Sequence, residues 1–404
     1  MAHHQSIKTV QDHDFKGKKV IIRVDFNVPL NHNRQVTDDT RIRESLSTIK
    51  KILNDGASVI LISHLGRPKG GFENDYSLTP IVPVLTKLMG KNVYFTRDLF
   101  GQKTMDVCSK LQPGDIVLLE NIRFYPEEEA GSDGEFAKQI ASLGDAYVND
   151  AFATSHRAHM SVSVLPKYFP KDKYFGLLLA NELANLDKIL FDGKSPFTAI
   201  IGGAKVSNKI GIIKNLINKV DNIIIGGGMA FTFIKALGGN IGNSLFEEDW
   251  IGAAKDMVQE MMLKGVNLYL PTDVIVADSF SNDANFKTCA ADDIDDSWMG
   301  LDVGKKTCRR YAEIINNSNT ILWNGPMGVF ELPNFQQGTK AIAIAVASAT
   351  ISGSFSLVGG GDSVAAINTY NLADQISYVS TGGGAMLEYI EGRELPGVKA
   401  ILEK

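Results

Sequence analysis

Arginine and histidine recur where apolar runs end in the first half of this chain. The strings ILISHLGRP, LLENIRF and YVNDAFATSHRAH place His64, Leu65, Gly66, Arg67, Arg123, His156, Arg157 and His159 at such exits. Arg41 follows in TDDTRIRES, and RVDFNVPL carries Asp25, Phe26 and Asn27 just past another apolar run. Asp25 and Asn27 occupy alternate positions there, which suits recognition of hydroxyl and carboxylate groups, although both are also turn formers. A guanidinium fork matches a carboxylate or phosphate two bonds at a time. One such arginine is ordinarily a surface ion pair; four converging from neighbouring strands would form a site for a small acidic metabolite. The histidines suit anion contact or structural packing better than metal binding, because HRAH has no acidic residue nearby to orient a metal-bound imidazole.

The second half answers with glycine. AIIGGAK, IIIGGGM, LVGGGDS and VSTGGGA each set glycines directly after a short apolar run. A glycine turn lets phosphate approach the backbone, and the helix that follows offers free N–H groups and a partial positive charge. In GGGDSV, Asp362 and Ser363 are residue types that hold Mg²⁺ and a phosphate oxygen, or that simply cap a helix. The spacing of Lys205 and Lys209 in GGAKVSNK predicts two ammonium groups on one face of a starting helix, an arrangement that favours an arriving anion; solvated surface lysines are the alternative. WNGPMGVFE adds Glu331, a candidate for ribose hydroxyls. None of the four exits is a Walker A sequence, and Phe231 stands where G-x-G-x-x-G needs its last glycine. Cationic exits for an acid and glycine exits for a nucleotide together point to a phosphotransferase.

The elements that must position these residues alternate. KKVIIRVDF, RIRESLSTIKKIL, ASVILIS, LTPIVPVLTKL, DIVLLEN, FAKQIASLG and AYVNDAF switch between strand-like and helix-like periods. That rhythm predicts a buried parallel sheet, and it restarts at FTAIIGG after the apolar helical segment YFGLLLANELANLDKIL. In that segment Leu177, Leu178, Leu183, Leu186, Ile189 and Leu190 recur at helical spacing, so it is read either as the connector or as another packing helix of the first domain. The fold expected is α/β, with two doubly wound, Rossmann-like parallel-sheet domains joined by a hinge helix. Boundaries fall at 1–175, 176–190 for the helix and 191–390. The acidic DDIDDSW segment reads as a solvated loop.

With 404 residues, 44% of them hydrophobic and 22% charged, the chain can bury large cores. A net charge of −5 gives no broad basic field, so neither nucleic acid nor a membrane surface is expected as a partner. Three widely spaced cysteines without CxxC suggest neither a disulfide framework nor a zinc site, and a cytoplasmic setting is expected. The polar N-terminal segment lacks the apolar core of a signal peptide.

Taken in order, RVDFNVPL, SHLGRP, LENIRF, NDAFATSHRAH, GGAKVSNK, ILWNGPMGVFE, GGGDSVAAI and STGGGAMLEYIEG resemble the signatures of the phosphoglycerate kinase family across nearly the whole chain. The resemblance implies reversible phosphoryl transfer from 1,3-bisphosphoglycerate to Mg-ADP, giving 3-phosphoglycerate and ATP, by a monomer with two lobes and a hinge. It implies an acid-substrate site of Asp25, Phe26, Asn27, Arg41, His64, Leu65, Gly66, Arg67, Arg123 and Arg157. Arg41, Lys205, Lys209 and the Gly383–Gly384 turn would stabilise the phosphoryl group in transfer. Lys209, Gly227, Gly228, Asn324, Pro326, Gly328, Val329, Glu331, Gly360, Gly361, Asp362 and Ser363 would bind nucleotide, with Asp362 on the Mg²⁺. The resemblance also implies that 391–404 packs back on the first domain. Lys305, Asn243, Ala153 and Met386 depart from the usual family strings; none replaces a proposed charged catalytic group. A dinucleotide-binding dehydrogenase and a non-catalytic scaffold are the competing readings.

Overall fold

In the computed structural model, which describes residues 8–403, the first half builds one six-stranded parallel sheet. Its strands are β1 (Lys19–Arg23), β2 (Ser58–Ile62), β3 (Val93–Thr96), β4 (Ile116–Leu119), β5 (Ala146–Asn149) and β6 (Lys173–Phe175), in the order β3-β4-β2-β1-β5-β6. The runs SVILI and IVLL are buried at every position, as a sheet covered on both faces requires. Register brings Ile22 of β1 beside Leu61 and Val148. The helix Thr40–Asn54 buries Ile42, Ile49, Ile52 and Leu53 against this sheet, a stripe at helical spacing. The next helix, Ile81–Met89, stops where Gly90 takes a left-handed φ of 64°.

The second half builds another six-stranded parallel sheet. Its strands are β7 (Phe197–Ile201), β8 (Asn222–Ile225), β9 (Asn267–Tyr269), β10 (Thr320–Asn324), β11 (Phe355–Val358) and β12 (Tyr378–Val379), ordered β9-β8-β7-β10-β11-β12. Trp323, Ile342, Val346 and Val358 lie in its core. The chain divides into two compact units: one runs to Ala184 and regains the chain from Glu394, the other is Asn185–Arg393. The division falls inside the helix Leu177–Phe191, which buries Leu179, Leu183, Leu186 and Ile189. The C-terminal helix Pro396–Leu402 belongs to the first unit, where Asn149 Nδ2 donates to Gly397 O (3.3 Å) and Lys173 Nζ to Ala400 O (2.8 Å).

Two segments depart from the alternating pattern expected. Asp273–Ala277 is an apolar run like those of the parallel sheets, yet it pairs antiparallel with Phe286–Ala290 and Met299–Val303. The turn-rich DSFSNDAN behind it reverses the chain before a helix can form. The acidic DDIDDSW is not simply a solvated loop: Asp293–Ile294 pairs in parallel with Asn240–Ile241, and Ile294 is fully buried. Ile294, with Trp298 packed against the same cluster, anchors the segment.

Candidate functional site

The first unit gathers its basic residues because β4, β2, β1 and β5 are neighbours and every one of their exits lies at the same edge of the sheet. The backbone continues β1 past its last pair, with Val24 N donating to Ile62 O at 3.0 Å, and so delivers Asp25 and Asn27 beside the β2 exit. Arg41 Nη1 donates to Asp25 Oδ2 at 2.8 Å. Asn27 Oδ1 accepts from Gly66 N–H at 2.9 Å, and Arg123 Nη1 donates to Gly66 O at 2.7 Å. Gly66 itself has φ +61° and packs against the Tyr76 ring, where a Cβ would collide. The turn that carries Arg67 is therefore held from three elements.

Phe26 and Leu65 are core side chains, 0% and 4% exposed, so only their backbones reach this edge. Even those are engaged: Phe26 N–H donates to Ser63 Oγ (2.8 Å), and Leu65 O accepts from Asn121 Nδ2 (2.7 Å). Arg67 is exposed and Arg157 half-buried, and among the described residues nothing hydrogen-bonds either guanidinium. Their forks are free to take an anion. Burial, then the Arg23 charge, holds the Arg123 guanidinium below its usual value. His64 is held well below its own, first by burial and then by Arg23, Arg123 and Arg41. Burial and the same arginine neighbourhood bring His159 to about 3.

Sequence reasoning missed the polar layer beneath. Arg23, Glu128 and Ser161 are fully buried, with Ser161 Oγ donating to Glu128 Oε1 (2.7 Å) and Arg23 Nε donating to Ser161 Oγ (2.8 Å). Glu120 is also buried and braces the β4 exit, accepting from Leu78 N–H, Asn121 N–H and the Ser77 hydroxyl. Arg23 could have been noticed as the one charge closing the run VIIR. Glu128 sits in EEE, which reads as a solvated face.

The second unit holds a cavity of about 520 Å³ at the β7, β8, β10 and β11 exits. Gly203, Gly227, Gly228, Pro326, Gly328, Val329, Glu331 and Asp362 line it. The exits are stitched together by backbone: Gly203 N–H donates to Pro326 O (3.1 Å), Gly227 N–H to Met327 O (3.1 Å) and Met229 N–H to Gly203 O (3.0 Å). A Cβ on Gly227, whose φ is +68°, would stand 2.6 Å from Gly203 O and 2.9 Å from Pro326 O. Only glycine permits this approach. The opposite wall is apolar, built by Phe231, Leu245, Val274, Met299 and Leu301, partly from the antiparallel sheet. That wall was not legible, since its residues read as ordinary core.

Beside the cavity, Asn324 Nδ2 donates to Gly359 O (2.7 Å), and Gly325 N–H donates to the buried Ser363 hydroxyl (2.6 Å). Ser363 thus braces the Pro326 turn as well as opening the helix Gly361–Thr369. Gly360 is that helix's N-cap, and the Asp362 carboxylate is exposed in its first turn. Lys205 and Lys209 do not share a helix face. Lys205 lies in irregular chain, residues 207–209 form a turn, and the helix Ile210–Leu216 begins only after Lys209, its N-cap. Glycines at 202 and 203, followed by a turn closed by Lys209 N–H to Val206 O (2.8 Å), delay helix entry. Lys209 Nζ hydrogen-bonds Asn324 Oδ1, and burial lowers its pKa against the pull of Asp362 and Glu391. Lys205 is exposed. The turn at Gly383, with φ +49°, opens the helix Gly384–Ile390. Of the departing positions, Asn243 lines the cavity, Met386 is buried under Gly359, Lys305 opens the helix Lys305–Asn316, and Ala153 sits in the turn Phe152–Thr154 just after β5 and ahead of Arg157.

The phosphoglycerate kinase family matches residues 10–393. A phosphoglycerate kinase of Porphyromonas gingivalis is 50% identical, covering 97% of this chain and 99% of its own. An Arabidopsis thaliana protein named phosphoglycerate kinase 3, cytosolic, is 49% identical over the full length of both chains. Among solved structures, phosphoglycerate kinase from Coxiella burnetii has a TM-score of 0.89 at 42% identity, and that from Pyrococcus horikoshii 0.83 at 29%, each covering 98% of both chains.

Proposed function

Because this chain belongs to the phosphoglycerate kinase family and is a phosphotransferase, we propose that it transfers the acyl phosphate of 1,3-bisphosphoglycerate directly to Mg-ADP, reversibly, in glycolysis. The observation that carries the reading is the presence of two unlike anion sites, each built within its own unit: free arginine forks on one sheet edge and a glycine-lined cavity on the other. Arg41, Arg67, Arg123 and Arg157, with Asp25, Asn27 and His64, take the acid. The apolar wall takes the base, Glu331 the ribose, and the Gly360–Gly361 turn the phosphates.

Mg²⁺ enters with the nucleotide. The exposed Asp362 carboxylate suits an ion that keeps most of its waters and takes its other ligands from phosphate oxygens. Among the described residues, no group of three or more His, Cys, Asp or Glu could hold a metal alone. Lys209, Lys205, Arg41 and the Gly383–Gly384 amides stabilise charge on the phosphoryl group in flight. The acceptor oxygen is already anionic, so no general base is needed. The two ligands occupy different units, so in-line transfer requires closure about the connector helix, which also keeps water from the acyl phosphate. The protein acts as a cytoplasmic monomer; no helix among the described residues is long and apolar enough to cross a membrane.

The test is ADP production from ATP and 3-phosphoglycerate, drawn forward by glyceraldehyde-3-phosphate dehydrogenase and NADH. Turnover should require Mg²⁺, ATP and 3-phosphoglycerate together. Folded, nucleotide-binding protein without turnover returns the scaffold reading, and nicotinamide binding in the cavity returns the dehydrogenase.

A further inference from the structure

Arg23 ends β1 two residues before Asp25 and is wholly enclosed, so its charge must be answered from within. Three partners answer it. Nε donates to Ser161 Oγ at 2.8 Å, Nη1 hydrogen-bonds Val24 O, and Nη2 lies 3.9 Å from Glu128 Oε1. Glu128 in turn accepts from both donors of Ser161, the amide at 2.8 Å and the hydroxyl at 2.7 Å. Because the Ser161 hydroxyl spends its hydrogen on Glu128, its lone pairs face Arg23. The relay therefore has one polarity, from guanidinium through hydroxyl to carboxylate.

The remaining contact of Arg23 carries the consequence. Nη2 stands 3.3 Å from Nδ1 of His64. A guanidinium has donors and no acceptor, so this bond exists only if Nδ1 carries no hydrogen. The rival is Asp25 Oδ1, which would draw a proton onto Nδ1. It lies farther away, at 3.8 Å, and already accepts from Asn27 N–H at 3.1 Å. The groups around the ring from the other elements are Arg41, Arg123 and His159, which also disfavour an imidazolium.

We propose that Glu128 is a positioning residue of the acid site: by anchoring Arg23 and Ser161 it holds His64 as a neutral imidazole whose only hydrogen is on Nε2. His64 then works as a fixed hydrogen-bond donor rather than as a base or a cation. Losing Glu128 leaves the Arg23 charge uncompensated and free to leave Nδ1, after which Asp25 competes for the ring. The inference rests on the proposed function only in calling this edge the acid site.

The experiment is a long-range ¹H–¹⁵N correlation on full-length protein labelled at histidine, with His64 assigned by its loss in His64→Gln. The wild-type ring should show a bare Nδ1 and a protonated Nε2, unchanged between about pH 6 and 8, the range in which an ordinary histidine titrates. A proton on Nδ1, or titration of His64 within that range, overturns the proposal without recourse to any variant. Glu128→Gln should give a mixture of tautomers and raise KM for 3-phosphoglycerate about tenfold, leaving KM for Mg-ATP unchanged. Ser161→Ala cuts the relay while keeping the backbone donor, and should do the same if Glu128→Gln fails to fold. A single unchanged tautomer with unchanged KM in whichever variant folds sinks the positioning role. Protein that shows the tautomer but turns over no 3-phosphoglycerate keeps this assignment and removes the proposed function.

Discussion

Lys209 shows how far a residue's type foretells its work. The sequence announces a lysine beside a glycine turn, but not that it hydrogen-bonds Asn324 and feels Asp362 and Glu391 while half-buried. In the proposed transfer, a cation placed so would meet the charge that develops. Lys209→Ala should lower kcat by about 10²–10³, the usual cost of removing one such donor. Binding of 3-phosphoglycerate, measured by titration calorimetry, should stay within about twofold, since the residue belongs to the other unit. Wild-type kcat in the variant would remove Lys209 from the phosphoryl site. The arginines were legible only as a group: one alone reads as a surface ion pair, whereas four at the ends of successive apolar runs suggest a shared anion site. Glu128 was hidden for the opposite reason: a run of three glutamates has an easy one, and only the fold reveals that the middle of EEE points inward.

At the scale of elements, strand exits positioned what the residues required, and glycine set the spacing. Gly227→Ala would add a methyl 2.6 Å from Gly203 O at a φ of +68°. We expect a loss of about 1–3 kcal/mol in unfolding free energy and weaker Mg-ADP binding, because two exits of the cavity must part. Urea titration and nucleotide titration measure these separately; an unchanged nucleotide Kd would mean that the exits need not touch. The connector helix offers a second test. Asp150, fully buried, accepts from the first amides of that helix, Leu178 N–H at 3.0 Å and Leu179 N–H at 3.3 Å. Burial pushes its carboxyl from 3.8 up to about 7. Between those values the native state holds a proton that the unfolded chain has released, so its contribution to stability is full below the unfolded value and lost as pH rises through the folded one. Asp150→Asn keeps the acceptor and removes the titration. Its Tm should match wild type near pH 4 and exceed it near pH 8; parallel curves would mean that Asp150 does not titrate in this window. The alternating βα rhythm of the two parallel sheets was readable because both are buried on two faces. The antiparallel excursion after Pro271 was not, because DVIVA has the composition of a buried parallel strand and only its later partners decide its direction.

The proposed reaction poses a question for the whole molecule that neither unit answers alone: how ligands held by separate units would come to exchange a phosphoryl group. A ligand can shift a conformational equilibrium only by the difference between its affinities for the two states. An acid held wholly by the first unit, or a nucleotide held wholly by the second, gains little from closure by itself. In the proposed transfer, with both ligands present, the phosphoryl group would meet Arg41 from one side and Lys209 from the other, and only a closed state would gain both contacts. Closure should therefore be cooperative. In small-angle scattering, 3-phosphoglycerate or Mg-ADP singly should leave the radius of gyration nearly unchanged. Together they should reduce it toward the roughly 21 Å of one compact body of this length. Full compaction with either ligand alone would mean that each already contacts both units and that closure is not the step coupling them. The sequence could suggest the connector from its helical apolar spacing, and its division at Ala184 and Asn185 required the fold. Motion was legible in neither, because it depends on which contacts the substrates add, and those belong to no residue's type or place until both sites are filled.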